Sequence, residues 1–430
     1  MPKVRIVIFL NELGIGGSEK AACRWARGLA ERSHTVHVLT LKDGPRRAAL
    51  EADRIEVHVV TAARAIRKQL EELRPDVIHT HAPGHPHEGD ILGEALVLMP
   101  KIPVAQTNIF GHLDNPKENA WTNFRLFVSW TSCVQAARRS FQSLDKEFFR
   151  HASVAVYPLD ADDGPSSAEI EKFRSDLGIR HDDVVFGRLS RPEPNKWTDL
   201  PIEGFRIAAR CNQRLKLLLR EPPQAVARSL ASASDRERFV ILPTTSDPAE
   251  LALTAASLDV VLHTSSVGES FGYGIAEPMN YGKPVIANST PWQDQAQIEL
   301  VRHGECGFIA STPKTIAEAI LKLANDTELR TRFGKSAQAH IRNLADPEKS
   351  LNRLEAALKA GASVHENLHV SEDLATAQAA AAYLDQHQFG HSFGEQIALR
   401  PLHYRVRFHQ WRKAFRCRLG ESVSGFDQQK

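Results

Sequence analysis

Short apolar runs alternate with longer amphipathic segments along most of this chain, and that alternation restricts the fold more than any other feature. In the first 150 residues the apolar runs are Val4–Leu10, Val36–Leu41, Ile55–Val60, Val77–His81 and Val104–Thr107. Helical periodicity fills several of the gaps, as at Lys20–Glu31 and Ala65–Leu73. Such a pattern predicts an α/β fold with a parallel sheet covered by helices on both faces. A further strand is expected near Val154–Tyr157, followed by the turn-rich, acidic stretch Pro158-Leu159-Asp160-Ala161-Asp162-Asp163-Gly164-Pro165. Prolines, glycine and aspartates in that density mark a linker.

The alternation then begins again. A helix is expected at Ala168–Leu177 and strands at Val184–Leu189, Leu215–Leu219, Phe239–Leu242, Val260–His263 and Pro284–Ala287. The pattern turns mostly helical from about residue 313 to 360. Two similar halves follow, with domains expected at residues 1–165 and 166–360 and a helical extension at 361–430. A length of 430 residues suits two or three domains better than one core. There is no tandem repeat and no low-complexity tract.

Composition narrows the functional classes. A net charge of +2 does not favour a polyanionic partner, so nucleic acid is not expected. The five cysteines are scattered and lack a CxxC pair, which argues against a disulfide framework or a cysteine zinc site. The N-terminal apolar run is too short to span a membrane and carries no cleavage pattern, so a cytoplasmic protein is expected.

Four clusters carry the chemistry. Gly14-Ile15-Gly16-Gly17-Ser18-Glu19-Lys20 follows the first strand and opens a helix, where free backbone N–H groups can meet an anion. It is not a Walker A loop, and Glu19 stands where a dinucleotide fingerprint needs its third glycine. His79, His81, His85 and His87 crowd the end of the fourth strand, the edge of an open α/β sheet that binds substrates. With no cysteine nearby, a polar wall of an acceptor cleft suits them better than zinc. The strand Val184-Val185-Phe186 runs into a glycine-containing loop, Gly187–Trp197, carrying Arg188, Arg191 and Lys196, cations suited to a diphosphate or to a solvated loop paired with Glu193 and Asp199. The fourth cluster is a glycine-containing turn with Glu269, followed by a helix with Glu277. Carboxylates accept bonds from paired sugar hydroxyls, and the N–H groups of Phe271, Gly272, Tyr273 and Gly274 could meet phosphate.

The last cluster resembles the group 1, or family 4, retaining glycosyltransferases. The match lies in Glu269 and Glu277 with seven residues between, the Phe271-Gly272 pair and Gly282-Lys283-Pro284-Val285. Gly16-Gly17-Ser18-Glu19, Pro75–His81, Gly187-Arg188-Leu189-Ser190 with Lys196, and His303–Phe308 are similar to further motifs of that family, in the same order over residues 4–360. The resemblance implies a GT-B fold, two Rossmann-like domains with parallel sheets facing across a cleft. It implies that Glu277 binds the nucleotide ribose, that Glu269 binds the transferred sugar, and that Arg188 and Lys196 hold the diphosphate. Gly16 and Gly17 would approach the phosphates from the other domain, beside donor contacts at Phe271, Gly272 and Tyr273. It implies transfer of a hexose from a nucleoside diphosphate sugar to a glycan or lipid-linked acceptor, with retention and without a metal or other cofactor. Asn108 stands about where the family often has a histidine, so the acceptor side falls to His81 and Asn108. The clamp loop is longer than usual, which sets Arg191 in competition with Arg188.

Two other readings compete. A nicotinamide-dependent oxidoreductase would use the glycine turn and Asp43 but leaves Glu269 and Glu277 unexplained. A GT-B protein that binds nucleotide-sugar without turnover is the second. The tail adds one more expectation: Arg400–Arg418 holds seven Lys/Arg and no acid, with Tyr404, Phe408, Trp411 and Phe415 on one helical face. That face would pack on the protein itself or lie on an anionic membrane.

Overall fold

The structure, a computed structural model, describes residues 3–85, 89–189, 193, 196–362, 369–401 and 403–405. Arg191, His87, Phe408, Trp411, Phe415 and Cys417 therefore lie outside the described residues. Two parallel sheets organise the chain. The first holds β1 (Arg5–Leu10), β2 (Thr35–Thr40), β3 (Glu56–Val59), β4 (Val77–Ala82), β5 (Val104–Asn108), β6 (Phe124–Phe127) and β7 (Ala152–Val154) in the order β3-β2-β1-β4-β5-β6-β7. The second holds β8 (Val184–Leu189), β9 (Leu215–Arg220), β10 (Phe239–Leu242), β11 (Val260–His263), β12 (Val285–Ala287) and β13 (Gly307–Ile309) in the order β10-β9-β8-β11-β12-β13.

Both halves are α/β and Rossmann-like, as the alternation predicts. The strand order reverses between β1 and β4 and again between β8 and β11. At such a switch point the loops diverge and leave a crevice beyond the carboxyl ends of the strands. Central strands are buried along their whole length because both faces are covered: every residue of β8 is buried, Arg188 included. The strands β6 and β13 have no counterpart in the sequence reading. β6 spans four residues and carries Arg125 in its middle, and β13 spans three, too few to show a period.

The last helices return to the first domain. The helix Pro347–Ala362 lies on the first sheet, where the backbone of Gly361 approaches Ala105 and Phe124. The fully buried Trp25 donates from Nε1 to Ser350 Oγ at 2.9 Å, and Ser350 Oγ donates to the carbonyl of Val156 at 2.5 Å. The helix Val370–His387 follows, held by Ser153 Oγ donating to the buried Asp373 carboxylate at 2.6 Å. Tyr404 is exposed, and no helix among the described residues is long and apolar enough to cross a membrane. Cys23, Cys133, Cys211 and Cys306 are all free thiols.

Candidate functional site

The site forms where β8 and β11 end side by side. Arg188 is the fifth residue of β8, and its side chain is 1% exposed. Its Nε donates to the carbonyl of Thr264 at 3.3 Å, and its guanidinium lies 4.5 Å from the centre of the Trp197 ring. Nη1 is buried with no hydrogen-bond partner. Burial lowers the Arg188 pKa to about 10, with Glu269 opposing the fall, so the group stays charged at neutral pH. A buried cation with an unused donor is costly unless an anion completes it.

Glu269 supplies a nearby acidic partner. The turn after β11 carries it, and Gly272 closes that turn at φ +97°, in the left-handed region that favours glycine, immediately before the helix Tyr273–Asn280. Glu269 Oε2 is 3.6 Å from Lys196 Nζ, and Oε1 is 3.1 Å from His263 Nε2. Its backbone N–H donates to Gln297 Oε1 at 3.0 Å, fixing the turn against the helix Ala296–Val301. Burial alone would raise the Glu269 pKa; Lys196, the bond from His263 and the Arg188 charge outweigh it and bring it down to about 2. Burial also lowers the pKa of His263, so a neutral ring carrying its proton on Nε2 donates to an ionised Glu269. The result is a fixed carboxylate between cations, able to accept bonds from a polyol, beside an unsatisfied guanidinium suited to a phosphate.

The first domain closes over this site. Gly16 caps the helix Gly17–Glu31, and the carboxylate of Glu19 folds back over Gly16. At Gly17 a Cβ would stand 3.1 Å from Tyr273 Cδ2, so the glycine turn touches the second domain. Lys20, one turn further on, forms an ion pair with Glu277. The Tyr273 ring lies 5.2 Å from Lys20 Nζ and 5.6 Å from the Arg24 guanidinium, and its hydroxyl donates to the carbonyl of Pro158 at 2.9 Å. Ser129 Oγ donates to the carbonyl of Ser270 at 2.7 Å, and the buried Arg139 and Asp294 pair at 3.0 Å across the same boundary.

The structure thus gathers Gly16, Gly17, Arg188, Lys196, Glu269, Phe271, Gly272, Tyr273 and Glu277 around the turn and helix that follow β11, where the two domains meet. His81 and Asn108 are placed differently. His81 is buried with both ring nitrogens unpartnered, 5.6 Å from the Trp25 ring and 6.3 Å from that of Tyr157. Burial drives its pKa well below the ordinary histidine value. The neighbouring His79 bonds Thr107 Oγ1 at 2.8 Å, and burial brings it down to about 3. Asn108 is fully buried and spends its amide on the His112 backbone, donating to the carbonyl and accepting from the N–H at 3.3 Å. Asp43 is taken up by its own turn, accepting from Gly44 N at 2.8 Å and from Arg47 at 3.0 Å.

Four participants escape the sequence reading: His263, Lys20, Trp197 and Tyr157. His263 ends an apolar strand at its carboxyl edge, a place that could have flagged it. Lys20 had no such signal, since its partner is 257 residues away.

Sequence comparison fits this geometry. Residues 169–340 match the family described as glycosyl transferases group 1, and residues 16–186 match the glycosyl transferase 4-like domain. The two matches together span residues 16–340 and contain every residue gathered at the cleft. The chain belongs to the group 1 glycosyltransferases. Solved structures carry the same GT-B fold. HepE of Anabaena, solved in complex with UDP, is 21% identical with a TM-score of 0.68, covering 83% of this chain and 100% of its own. A glycosyltransferase from Rickettsia africae is 15% identical with a TM-score of 0.70, covering 84% of this chain and 99% of its own. Sucrose-phosphate synthase from Thermosynechococcus elongatus is 16% identical with a TM-score of 0.62, covering 82% and 97%. No curated protein matches the chain by sequence. Membership in this family sets aside the oxidoreductase reading, for which Asp43 is in any case already bound within its own turn.

Proposed function

We propose that this glycosyltransferase moves a hexose from a nucleoside diphosphate sugar to a glycan or lipid-linked acceptor, with retention at the anomeric carbon. The observation that carries the reading is the buried Arg188, charged and with Nη1 unsatisfied, at the mouth of a cleft that also holds Lys196 and an ionised Glu269. Two fixed cations would grip the diphosphate and stabilise the charge that builds on it as the sugar departs. They take the role a divalent metal has elsewhere, so no metal or other cofactor is required. Glu269, oriented by His263 and Lys196, would accept bonds from the transferred sugar and is not assigned as a nucleophile.

Glu277 would accept the ribose hydroxyls. A carboxylate has acceptor capacity to share between Lys20 and a ribose, so the ion pair and the nucleotide are compatible. The backbone of Phe271, Gly272 and Tyr273 would meet the phosphates from one domain, and Gly16 and Gly17 from the other. His81 and Asn108 would act on the acceptor side by shaping its floor, since the side chain of each is already buried. The reading places the enzyme in the cytoplasm, where the basic aromatic tail would pack on the protein itself or meet an anionic membrane surface.

The test separates donor binding from transfer. Calorimetric titration with uridine and guanosine diphosphates and their sugars would identify the base. Glu277→Gln should weaken the bare nucleotide, whereas Glu269→Gln should spare it and slow sugar transfer by roughly 100-fold. Wild-type transfer by both variants would overturn the assignment. Tight nucleotide-sugar binding with neither transfer nor slow hydrolysis would favour a silent binding protein instead.

A further inference from the structure

Away from the cleft, three side chains of the first sheet converge on one point. His37 of β2 stands directly opposite Glu56 of β3 in the ladder, and His58 lies two residues beyond Glu56, so all three share a face of the sheet. His37 Nδ1 is 3.3 Å from Glu56 Oε2, and His58 Nε2 is 3.6 Å from the same oxygen. The three atoms all lie within 4.8 Å of one another. Both nitrogens are buried, and neither contact with Glu56 has the geometry of a hydrogen bond.

We propose that His37, Glu56 and His58 form a binding site for a zinc-class divalent cation that ties the edge strand β3 to β2. The donor set selects the ion and the spacing admits it. Bonds of about 2.0–2.2 Å in a tetrahedral array place neighbouring ligand atoms roughly 3.3–3.6 Å apart, the separation of each nitrogen from Glu56 Oε2. An octahedral magnesium ion, with bonds of about 2.0–2.1 Å, requires edges of roughly 3.0 Å and prefers oxygen ligands. Two imidazoles and one carboxylate are the donor set of a borderline ion such as zinc. The Glu56 side chain is 68% exposed, so an ion reaches the site from solvent and a water completes its fourth position.

The location gives the ion a structural task. β3 is four residues long and pairs on one side only, the kind of edge that frays first. His37, Glu56 and His58 project from within β2 and β3, whereas the donor site lies beyond the carboxyl ends of β8 and β11. The site is thus independent of the donor-binding reading. It is also separate from the histidine run at His79–His87.

Equilibrium dialysis of the tag-free, metal-stripped full chain against Zn²⁺ tests the proposal, with the visible spectrum of the Co²⁺ form as a geometric readout. The expected result is one Zn²⁺ per chain, tetrahedral Co²⁺ bands and a higher unfolding temperature with metal. His58→Gln and Glu56→Gln should each weaken binding at least roughly tenfold, since even outer partners of a metal are worth that much. Their metal-free unfolding temperature and nucleotide binding should stay at the wild-type level. Zn²⁺ that is not retained, or that both variants retain as tightly as wild type, would overturn it and leave the trio as a histidine–carboxylate ion pair.

Discussion

Replacing Arg188 by Met should make the empty protein slightly more stable and the nucleotide complex much weaker. The guanidinium is 1% exposed and its pKa falls from 12.5 to about 10 because burial disfavours the charge. At about 1.36 kcal/mol per pH unit, holding that charge costs the folded chain about 3 kcal/mol. Met keeps an unbranched apolar stem in the same space, so little packing is lost. It gives up the contact with Trp197, worth about 1 kcal/mol, and the bond to the Thr264 carbonyl, worth about 1 kcal/mol. The balance favours Arg188→Met by about 1 kcal/mol, or roughly 2–4 °C in unfolding temperature for a domain of this size. Losing one partner of a buried charge pair costs about 2–5 kcal/mol in binding, so nucleoside diphosphate affinity should fall by about 30-fold or more. Thermal unfolding without ligand and calorimetry with UDP and GDP read the two effects separately. A variant that melts several degrees lower would show that Arg188 is a structural strut. One that binds nucleotide normally would show that the unsatisfied Nη1 does not serve a phosphate.

Three further outcomes follow from the same geometry. Gly17→Val adds a side chain whose Cβ alone would stand 3.1 Å from Tyr273, so it should wedge the domains apart and lower turnover by roughly tenfold or more without lowering the unfolding temperature; normal turnover would mean that this contact is not part of the working state. The Glu269 carboxylate, whose pKa is depressed from 4.5 to about 2, adds up to about 3 kcal/mol of stability that is fully present above pH 4.5 and disappears as pH falls toward 2. Glu269→Gln should flatten that part of the acid-unfolding curve, and an unchanged curve would refute the charge assignment. Ser350→Ala leaves the buried indole N–H of Trp25 unsatisfied and should cost about 1–3 kcal/mol in denaturant unfolding while nucleotide affinity holds. A large loss of affinity would tie the returning helix to the site.

The strands were legible because each is a local signal. The run at Val184–Leu189 is apolar at every position but Arg188, as suits a strand buried on both faces, and β8 spans that run. β6 and β13 were not legible, since Arg125 breaks one and three residues do not make a period in the other. Arg188, Lys196, Glu269 and Glu277 could be picked out because charged groups at the carboxyl ends of apolar strands stand out by type and spacing. The burial of His81 could not, because it depends on Trp25 and Tyr157, which reach it from a helix and from the segment just after β7.

By itself the sequence determined two α/β halves, their order, and the paired carboxylates at Glu269 and Glu277, all properties of residues close together in the chain. Only the tertiary structure decided what faces those carboxylates. His263 and Lys196 hold Glu269, and Lys20 comes from the other domain to Glu277. The helix Pro347–Ala362 likewise returns to the first sheet because Trp25 and the β4–β7 surface offer it a face to bury. Periodicity records which face of an element is apolar. It does not record which distant element will cover that face, because docking depends on the shape and charge of both surfaces once they are folded.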